Sequence, residues 1–276
     1  MPGPVRRKVP KQPLIFLHIS KAGGTTLHGI IERQYDPSCI FSIDGTRIHE
    51  SIREFTELPE EERGRLLVLK GHMSFGLHRL LPRSFSYITM VRNPVERVIS
   101  NYYFLLRAPK HPLHETIKGN NISLADAVAS EMFARFNNSQ TKMLSGIDVE
   151  SEKEPAKLLE TAKENLQKFF SVVGLTERFD ETILLIKRAF AWKLPFYVKE
   201  NVSKNRPGQE SLSRETLEII KKANDLDIEL YEYAKGLFER KLLQQDMAFR
   251  AELFLFQCLN RELWVKPMNR LRVSVR

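Results

Sequence analysis

Two short segments carry residues whose types and order suit phosphate binding. In the first, an apolar run leads into Ser20–Thr26, where a lysine, two glycines and two threonines precede a predicted helix. Glycines let the backbone approach an anion closely, and the free N–H groups of a helix N-terminus attract it. In the second, an apolar run ends at Arg92, directly before the helix start Asn93-Pro94. Together the segments predict a nucleotide with phosphates at two ends rather than one triphosphate tail.

Each segment also has a structural interpretation. The first lacks the Gly-x-x-x-x-Gly-Lys-Ser/Thr spacing of a Walker A loop and could be a turn with an incidental lysine. Arg92 could form a loop salt bridge, and Ser100 could be a solvated residue of the helix that follows. If they act together, the guanidinium and the hydroxyl hold one phosphate group. The pair, placed after a strand as the Lys21 segment is, favours the phosphate interpretation.

His72 is the candidate general base. A lone histidine is more often structural than catalytic, but His72 follows Gly71 at the end of a predicted strand, and a neutral imidazole can accept a proton at physiological pH. His18 is expected to point toward the Lys21 segment. The remaining histidines have no special placement, although two of them could line an acceptor cleft, namely His111 and His114.

Strand and helix signals alternate along the chain, which predicts an α/β fold with a mainly parallel central sheet flanked by helices. Ligands bind such sheets at the carboxyl ends of the strands, where Lys21, His72 and Arg92 all fall. Asn93, with Glu96 three residues later, predicts a capping box. The predicted strands are Leu14–Ile19, Ile40–Ile43, Leu66–Lys70, Tyr87–Val91 and Phe169–Leu175. The main predicted helices are Thr25–Tyr35, His49–Leu58, Ser123–Arg135, Lys153–Gln167, Phe179–Trp192 and Ser213–Gln245, with Ala108–Asn121 as a loop.

Composition narrows the class of protein. The 276 residues are 42% hydrophobic and carry a net charge of +9, so anionic partners are plausible. The basic residues are spread along the chain, which argues against nucleic acid. Two distant cysteines, Cys39 and Cys258, give neither a disulfide framework nor zinc-ligand spacing. No apolar run reaches the length of a membrane span, and no signal peptide is evident.

Three motifs, in order, carry a family resemblance. The first is Ser20-Lys21-Ala22-Gly23-Gly24-Thr25-Thr26, the second is Gly71-His72-Met73-Ser74, and the third runs from Arg92 to Phe104. In these the chain resembles carbohydrate sulfotransferases that use 3′-phosphoadenosine 5′-phosphosulfate (PAPS), in particular the branch typified by heparan sulfate 2-O-sulfotransferase. The likeness spans roughly residues 13 to 240 and implies a P-loop-like sulfotransferase fold.

The resemblance implies a reaction and a site. Sulfuryl would pass from PAPS, as donor cosubstrate and without a metal, to a hydroxyl of a carbohydrate or glycoconjugate. His72 would be the base, and Lys21 would stabilise the leaving oxygen. The implied PAPS-binding residues are Lys21, Ala22, Gly23, Gly24, Thr25, Thr26, Arg92, Ser100 and Lys204. The implied division of the chain is a disordered basic lead-in over 1–12, one sulfotransferase domain over 13–250, and a C-terminal extension over 251–276.

Two alternatives remain open at this stage. A P-loop-like kinase or NTPase predicts magnesium-dependent ATP turnover, and a non-catalytic binder of anionic glycans predicts binding without transfer. The sequence predicts a cytoplasmic protein. A location in the Golgi lumen is expected only if the chain is part of a longer one. The oligomeric state is left open.

Overall fold

The computed structural model describes residues 12–148, 154–197 and 207–273. At its centre lies a five-stranded sheet with strand order β2-β3-β1-β4-β5, in which all four pairings are parallel. The strands are β1 (Leu14–Leu17), β2 (Ile40–Ile43), β3 (Val68–Gly71), β4 (Ser86–Val91) and β5 (Phe170–Leu175). The predicted α/β class, with a parallel sheet flanked by helices, is confirmed.

Helices connect and cover the strands, as parallel pairing requires. All four residues of β1 are fully buried, as expected for the central strand of a sheet covered on both faces. The helices are α1 (Gly24–Gln34), α2 (Ile48–Glu57), α3 (Glu60–Arg65), α4 (Pro94–Leu105), α5 (Leu113–Gly119), α6 (Leu124–Ala129), α7 (Ser139–Ser145), α8 (Pro155–Phe169), α9 (Phe179–Ala189), α10 (Arg214–Ala223), α11 (Asp225–Leu243) and α12 (Met247–Val273).

The buried apolar residues form two clusters. The larger one surrounds the sheet and includes side chains of α1, α8, α9 and α11. The smaller one lies among α4, α5, α6 and α10, where Val98, Ile117 and Ile220 are fully buried. Helix α4 therefore packs on the small cluster while its N-terminus follows β4.

The prediction of a loop over Ala108–Asn121 is wrong, because this stretch contains α5. Its proline and glycine suggested irregular backbone, but Pro112 immediately precedes the first helical residue and Gly119 is the last. Ile117 is fully buried, and Nδ1 of the buried His114 lies 2.8 Å from the carbonyl oxygen of Leu105. These tertiary contacts stabilise a helix that local propensity does not favour.

The predicted single helix over Ser123–Arg135 is also wrong. Helix α6 ends at Ala129, Ser130 is extended, and a 3₁₀ segment follows over Glu131–Phe136. Phe133 and Phe136 are buried in the small cluster and anchor this irregular segment. Because of this break, Arg135 leaves the backbone at a different angle from the one it would have on a continuous helix.

Asn93 caps α4 as predicted, since its Oδ1 accepts a hydrogen bond from the N–H of Glu96 at 3.2 Å. The second bond of the predicted capping box comes from elsewhere. The N–H of Asn93 donates to Oε1 of Glu177 at 2.9 Å, and Glu177 lies just after β5. The carboxylate of Glu177, which follows the neighbouring strand β5, thus accepts the hydrogen bond that Glu96 was predicted to accept.

The C-terminal part is helical. The stretch predicted over Ser213–Gln245 forms the two helices α10 and α11. Helix α12 runs through the predicted boundary at residue 250 and is tied to α9 by an ion pair of 2.6 Å between Lys187 and Glu252. None of the helices in the described ranges is long and apolar enough to cross a membrane. The predicted lead-in over 1–12 lies, apart from Gln12, outside the described residues.

Candidate active site

Three adjacent strands bring the predicted site residues to one edge of the sheet. β1 lies between β3 and β4, and its last residue, Leu17, pairs with Gly71 on one side and Thr89 on the other. The segments that follow these strands therefore leave the sheet side by side. The predicted placement of Lys21, His72 and Arg92 at the carboxyl edge is confirmed.

The segment after β1 is a loop with two left-handed residues. Lys21 has a φ of 67° and Gly23 a φ of 79°. A lysine in this conformation is strained, and such strain is typical of functional loops. Among the described residues no side chain caps the N-terminus of α1, which begins at Gly24. The loop thus presents backbone N–H groups and a positive helix end to the same space, a geometry that binds anions.

Gly24 is required by the close approach of His18. A Cβ atom at position 24 would lie 1.9 Å from Nε2 of His18. The prediction that His18 points toward the loop is therefore confirmed, and its ring packs directly on the first turn of α1. A Cβ at Gly23 would meet Met90 and Phe179 at 3.3 Å and would be strained by the positive φ.

The Lys21 side chain reaches across to α4. Its Nζ lies 4.1 Å from the centroid of the Phe104 ring, a cation–π distance. Ala22 is buried and donates its N–H to the carbonyl of Ile19 at 3.3 Å, which tightens the turn. Thr25 is exposed and Thr26 is half-buried at the start of α1.

Arg92 connects this loop to the start of α4. Its Nη1 donates to the carbonyl of Lys21 at 3.0 Å, and its Nη2 lies 3.5 Å from Glu96. Gln140 of α7 holds the Arg92 backbone from both sides, accepting from its N–H and donating to its carbonyl at 3.0 Å each. The guanidinium is 18% exposed, so it is fixed yet still reachable from solvent.

Ser100 and Lys204 are the remaining residues predicted to bind the donor. Ser100 lies on α4 and is 6% exposed. Lys204 lies outside the described residues. The roles predicted for Ser100, Lys204 and the other site residues stay predictions.

His72 is held in one tautomer. Its Nδ1 lies 2.9 Å from the carbonyl oxygen of His18, which can only accept, so Nδ1 carries the hydrogen and Nε2 of the neutral ring is an acceptor. Burial lowers the pKa of His72, Arg135 lowers it further, and the bond to the His18 carbonyl opposes this. The ring is therefore neutral at pH 7 with a lone pair on Nε2.

The His72 ring contacts the first of a series of linked polar side chains. The rings of His72 and His18 stack with centroids 4.1 Å apart, and Nδ1 of His18 lies 3.0 Å from Nε2 of His28. Nδ1 of His28 in turn lies 3.1 Å from Nζ of Lys70, which pairs with Glu32 at 2.7 Å. Because an ammonium can only donate, Nδ1 of His28 accepts, its Nε2 donates to His18, and the hydrogen of His18 sits on Nε2.

Both supporting histidines are neutral. Burial lowers the pKa of His18 well below its usual value, and burial together with Lys70 lowers the pKa of His28 to about 3. Sequence reasoning missed His28 and Lys70. A lysine at the end of a predicted buried strand was the available signal, because buried lysines need a partner.

A cleft of about 420 Å³ opens beside His72. Its lining includes the apolar side chains of Ile48, Ile52 and Met73 and the polar side chains of Arg97, Asn101 and Arg135. His49 also lines the cleft, although no role was predicted for it. His111 lies behind Arg135 at 2.8 Å, and His114 is buried against Leu105, so neither lines the cleft wall.

A loop at a helix N-terminus, a fixed arginine and a neutral histidine lie at one sheet edge, next to a cleft with room for a sugar. This arrangement is compatible with group transfer, and the comparisons with known proteins define the class as the carbohydrate sulfotransferases. The chain belongs to the galactose-3-O-sulfotransferase family, whose model matches residues 2–252.

Two curated relatives are similar to this chain. Heparan-sulfate 6-O-sulfotransferase 1 of Cricetulus griseus is 28% identical over 280 residues, covering 83% of this chain and 67% of the relative. Human galactose-3-O-sulfotransferase 3 is 25% identical over 310 residues, covering 98% and 70%. The chain thus spans about two thirds of the length of these relatives. Their names carry 6-O and 3-O specificities, whereas the motifs suggested the 2-O branch.

A solved structure is also similar. The crystal structure of mouse sulfotransferase SULT7A1 complexed with PAP matches with a TM-score of 0.40 at 14% identity, covering 80% of this chain and 89% of that one.

Proposed function

We propose that this protein transfers the sulfuryl group of PAPS to a carbohydrate hydroxyl, with His72 as general base. The observation that carries the proposal is the tautomer of His72. Its Nδ1 is bonded to the His18 carbonyl, so Nε2 is the proton acceptor of a ring that lines the cleft. A neutral imidazole in that state is suited to take a proton from an attacking hydroxyl.

The residues present fit a donor with two phosphate-bearing ends. The loop over Ser20–Thr26 leads into a helix N-terminus that has no side-chain cap. At Gly24 a Cβ atom would clash with His18, so only glycine fits there. Both features suit binding of the 5′-phosphosulfate. Arg92, held at the start of α4, suits the 3′-phosphate together with Ser100. Bound PAPS supplies a sulfuryl group on a phosphate leaving group.

The reaction balances with these residues. The acceptor oxygen forms a bond to sulfur while the bond from sulfur to the bridging oxygen breaks, and the electron pair of that bond stays on the 5′-phosphate. His72 Nε2 takes the hydroxyl proton, and Lys21 stabilises the charge that develops on the bridging oxygen. Lys21 must leave the Phe104 ring to do so, since its Nζ rests 4.1 Å from that ring here.

Calorimetric titration tests the donor site. Wild type, Arg92→Ala and Arg83→Ala are titrated with 3′-phosphoadenosine 5′-phosphate, with adenosine 5′-monophosphate and with Mg·ATP. Arg83 is an exposed arginine outside the site and serves as the charge-matched control. We expect Arg92→Ala to weaken bisphosphate binding by roughly 10- to 100-fold and to change monophosphate binding far less, because charged hydrogen bonds contribute about 1.5–3 kcal/mol.

Other results would point elsewhere. Preference for Mg·ATP in the wild type would favour the kinase alternative. An equal loss of both adenosine ligands in Arg92→Ala would make Arg92 a support of the loop rather than a ligand of the 3′-phosphate. Bisphosphate binding without sulfuryl transfer to any glycan would favour a non-catalytic binder.

Three finer points rest on the sequence. Metal-independent transfer stays a prediction, which a transfer assay with and without a chelator checks. The cytoplasmic location and the division into residues 1–12, 13–250 and 251–276 also stay predictions. The proposed acceptor is a glycan hydroxyl, and no nucleic acid partner is proposed.

A further inference from the structure

The lining of the cleft includes buried polar atoms that have no hydrogen-bond partner among the described residues, on Arg97 and Asn101. Arg97 and Asn101 lie one turn apart on α4, and Arg135 comes from the 3₁₀ segment after the break in α6. Nη1 of Arg97 donates to the carbonyl of Arg135 at 3.2 Å, which fixes the two segments together. None of the donor-binding roles proposed above uses Asn101 or Arg135.

The amide of Asn101 is buried without a partner. The residue is 1% exposed, and within the described part of the chain neither its Nδ2 nor its Oδ1 has a hydrogen bond. An unsatisfied buried amide is unfavourable, and proteins retain one chiefly where a ligand or a functional requirement accounts for it. Asn101 lines the cleft that His72 faces, so a ligand in this cleft can satisfy both atoms.

Among the described residues Arg135 has no counter-ion. Arg97 lies 3.7 Å from the buried carboxylate of Asp227, whereas the described ion pairs give Arg135 no carboxylate. Because a guanidinium can only donate, Nη1 of Arg135 donates to Nε2 of His111 at 2.8 Å. This neutral imidazole is a hydrogen-bond partner but does not balance the charge of Arg135. Burial lowers the pKa of Arg135, and Arg97 lowers it further.

An anion would resolve both deficiencies. A carboxylate or sulfate oxygen accepts from a guanidinium and from an amide N–H, while a neighbouring sugar hydroxyl can donate to the amide oxygen. The lining also includes the apolar side chains of Ile48 and Ile52, which suit the carbon face of a sugar ring. A neutral ligand would leave the Arg135 charge without a counter-ion.

We infer that Arg135 and Asn101 form a subsite for an acidic group, carboxylate or sulfate, on the acceptor glycan. The inference rests on the proposed function, since it assigns the acceptor of that same site. The acid would lie within the cleft that His72 lines, so that binding it also orients the hydroxyl to be sulfated.

The test compares acceptors that differ only in the acidic group. A glucuronate-containing oligosaccharide is paired with its carboxyl-reduced form, in which glucose replaces glucuronate. A second pair consists of a neutral galactoside and the same galactoside bearing one sulfate ester away from the accepting hydroxyl. The variants are Arg135→Gln and Asn101→Leu, with Arg83→Gln as the charge-matched control at an exposed site.

We expect Arg135→Gln to raise the KM for one acidic acceptor by roughly tenfold or more, as loss of a charged hydrogen bond implies. The matched neutral acceptor should change less than twofold, and Arg83→Gln should change neither. The pair that responds identifies the acid as carboxylate or sulfate. Equal effects on acidic and neutral acceptors, or no effect on either, would overturn the subsite.

Binding separates failure of the subsite from failure of the proposed function. Each oligosaccharide is titrated by calorimetry against wild type and Arg135→Gln in the presence of 3′-phosphoadenosine 5′-phosphate. If no variant transfers sulfuryl or binds the bisphosphate, the proposed function fails while this titration still decides the subsite. Weaker binding of an acidic oligosaccharide to Arg135→Gln than to the wild type supports the subsite. Equal binding to the two proteins overturns the subsite.

Discussion

The two sides of His72 are built differently. On the donor side, the loop over Ser20–Thr26 and the start of α4 are joined by short hydrogen bonds from Arg92 and Gln140. On the proposed acceptor side, the buried amide of Asn101 has no hydrogen-bond partner among the described residues, and Arg135 has a neutral partner in His111 but no carboxylate there. The proposed donor side is held by contacts within the protein, whereas the proposed acceptor side has polar groups that a ligand can pair with.

This difference follows from what each side must recognise. A phosphate group has one geometry, which backbone N–H groups at a helix N-terminus match in advance. A glycan is recognised by its substituents, and side chains from separate segments give that recognition. We expect mutations on the donor side to change binding of every donor, and mutations on the acceptor side to discriminate among acceptors.

His72 lies between the two sides, and we expect its substitution to have the largest effect on activity. His72→Asn retains a donor near the Nδ1 position for the His18 carbonyl but removes the base at Nε2. We expect kcat to fall by roughly 10²- to 10⁴-fold, the usual contribution of a general base, with bisphosphate affinity unchanged. Single-turnover kinetics and calorimetry measure the two quantities.

His49→Asn is the control, because His49 lines the same cleft without the bond to His18. A small change in kcat is expected there. If His72→Asn kept most of its kcat, or lost donor binding in the same proportion, His72 would belong to the donor side and the division at this residue would be wrong.

Gly24→Ala perturbs the loop on the proposed donor side. The added Cβ would lie 1.9 Å from His18 Nε2, so the His18 ring or the first turn of α1 must move. Overpacking of this kind costs about 1–3 kcal/mol, and bisphosphate affinity should fall with it. Thermal unfolding and calorimetry measure both.

Gly29→Ala is the matched control in the same helix. Its Cβ would meet only Nη1 of Arg33, at 3.6 Å, so we expect unchanged binding and a gain of up to about 1 kcal/mol from helix propensity. Equal behaviour of Gly24→Ala and Gly29→Ala would show that the contact between His18 and Gly24 does not shape the loop.

The position of the proposed donor-side segments could be predicted from the sequence, and that of the proposed acceptor-side residues could not. The Lys21 loop, His72 and Arg92 each follow a strand, so short contiguous motifs and the parallel sheet suffice to place them. Arg135 reaches the cleft because α6 breaks at Ser130, a tertiary effect of burying Phe133 and Phe136. The chain of His28 and Lys70 depends on the packing of α1 against β3, which no local pattern specifies.

The buried histidines His18 and His28 should make stability depend on pH. The pKa of His28 is lowered to about 3, below the value of 6.5 in an unfolded chain, and that of His18 is lowered as well. Unfolding therefore takes up protons below pH 6.5, so this contribution is fully present above pH 6.5 and is lost as the pH falls. We expect His28 to lower the free energy of unfolding by roughly 2 kcal/mol between pH 6.5 and 5.

Urea unfolding of wild type and His28→Gln at pH 5, 6 and 7 measures this contribution. The variant should lose less stability on acidification, by about 1.4 kcal/mol per pH unit. His49→Gln, an exposed histidine, is the control and should follow the wild type. Parallel curves for wild type and His28→Gln would mean that His28 is not held neutral.

The smallest effect should have the opposite sign and concerns the acceptor side. Asn101→Leu replaces an unsatisfied buried amide with an apolar side chain of similar size, which should raise the free energy of unfolding by roughly 1 kcal/mol. Asn165 is the matched control: it is 7% exposed, and its Nδ2 donates to the carbonyls of Leu144 and Ser145 at 2.9 and 3.0 Å. Asn165→Leu should therefore destabilise the fold. If both variants lost stability alike in urea unfolding, Asn101 would be a satisfied structural residue, and the contrast between the two sides of His72 would not hold.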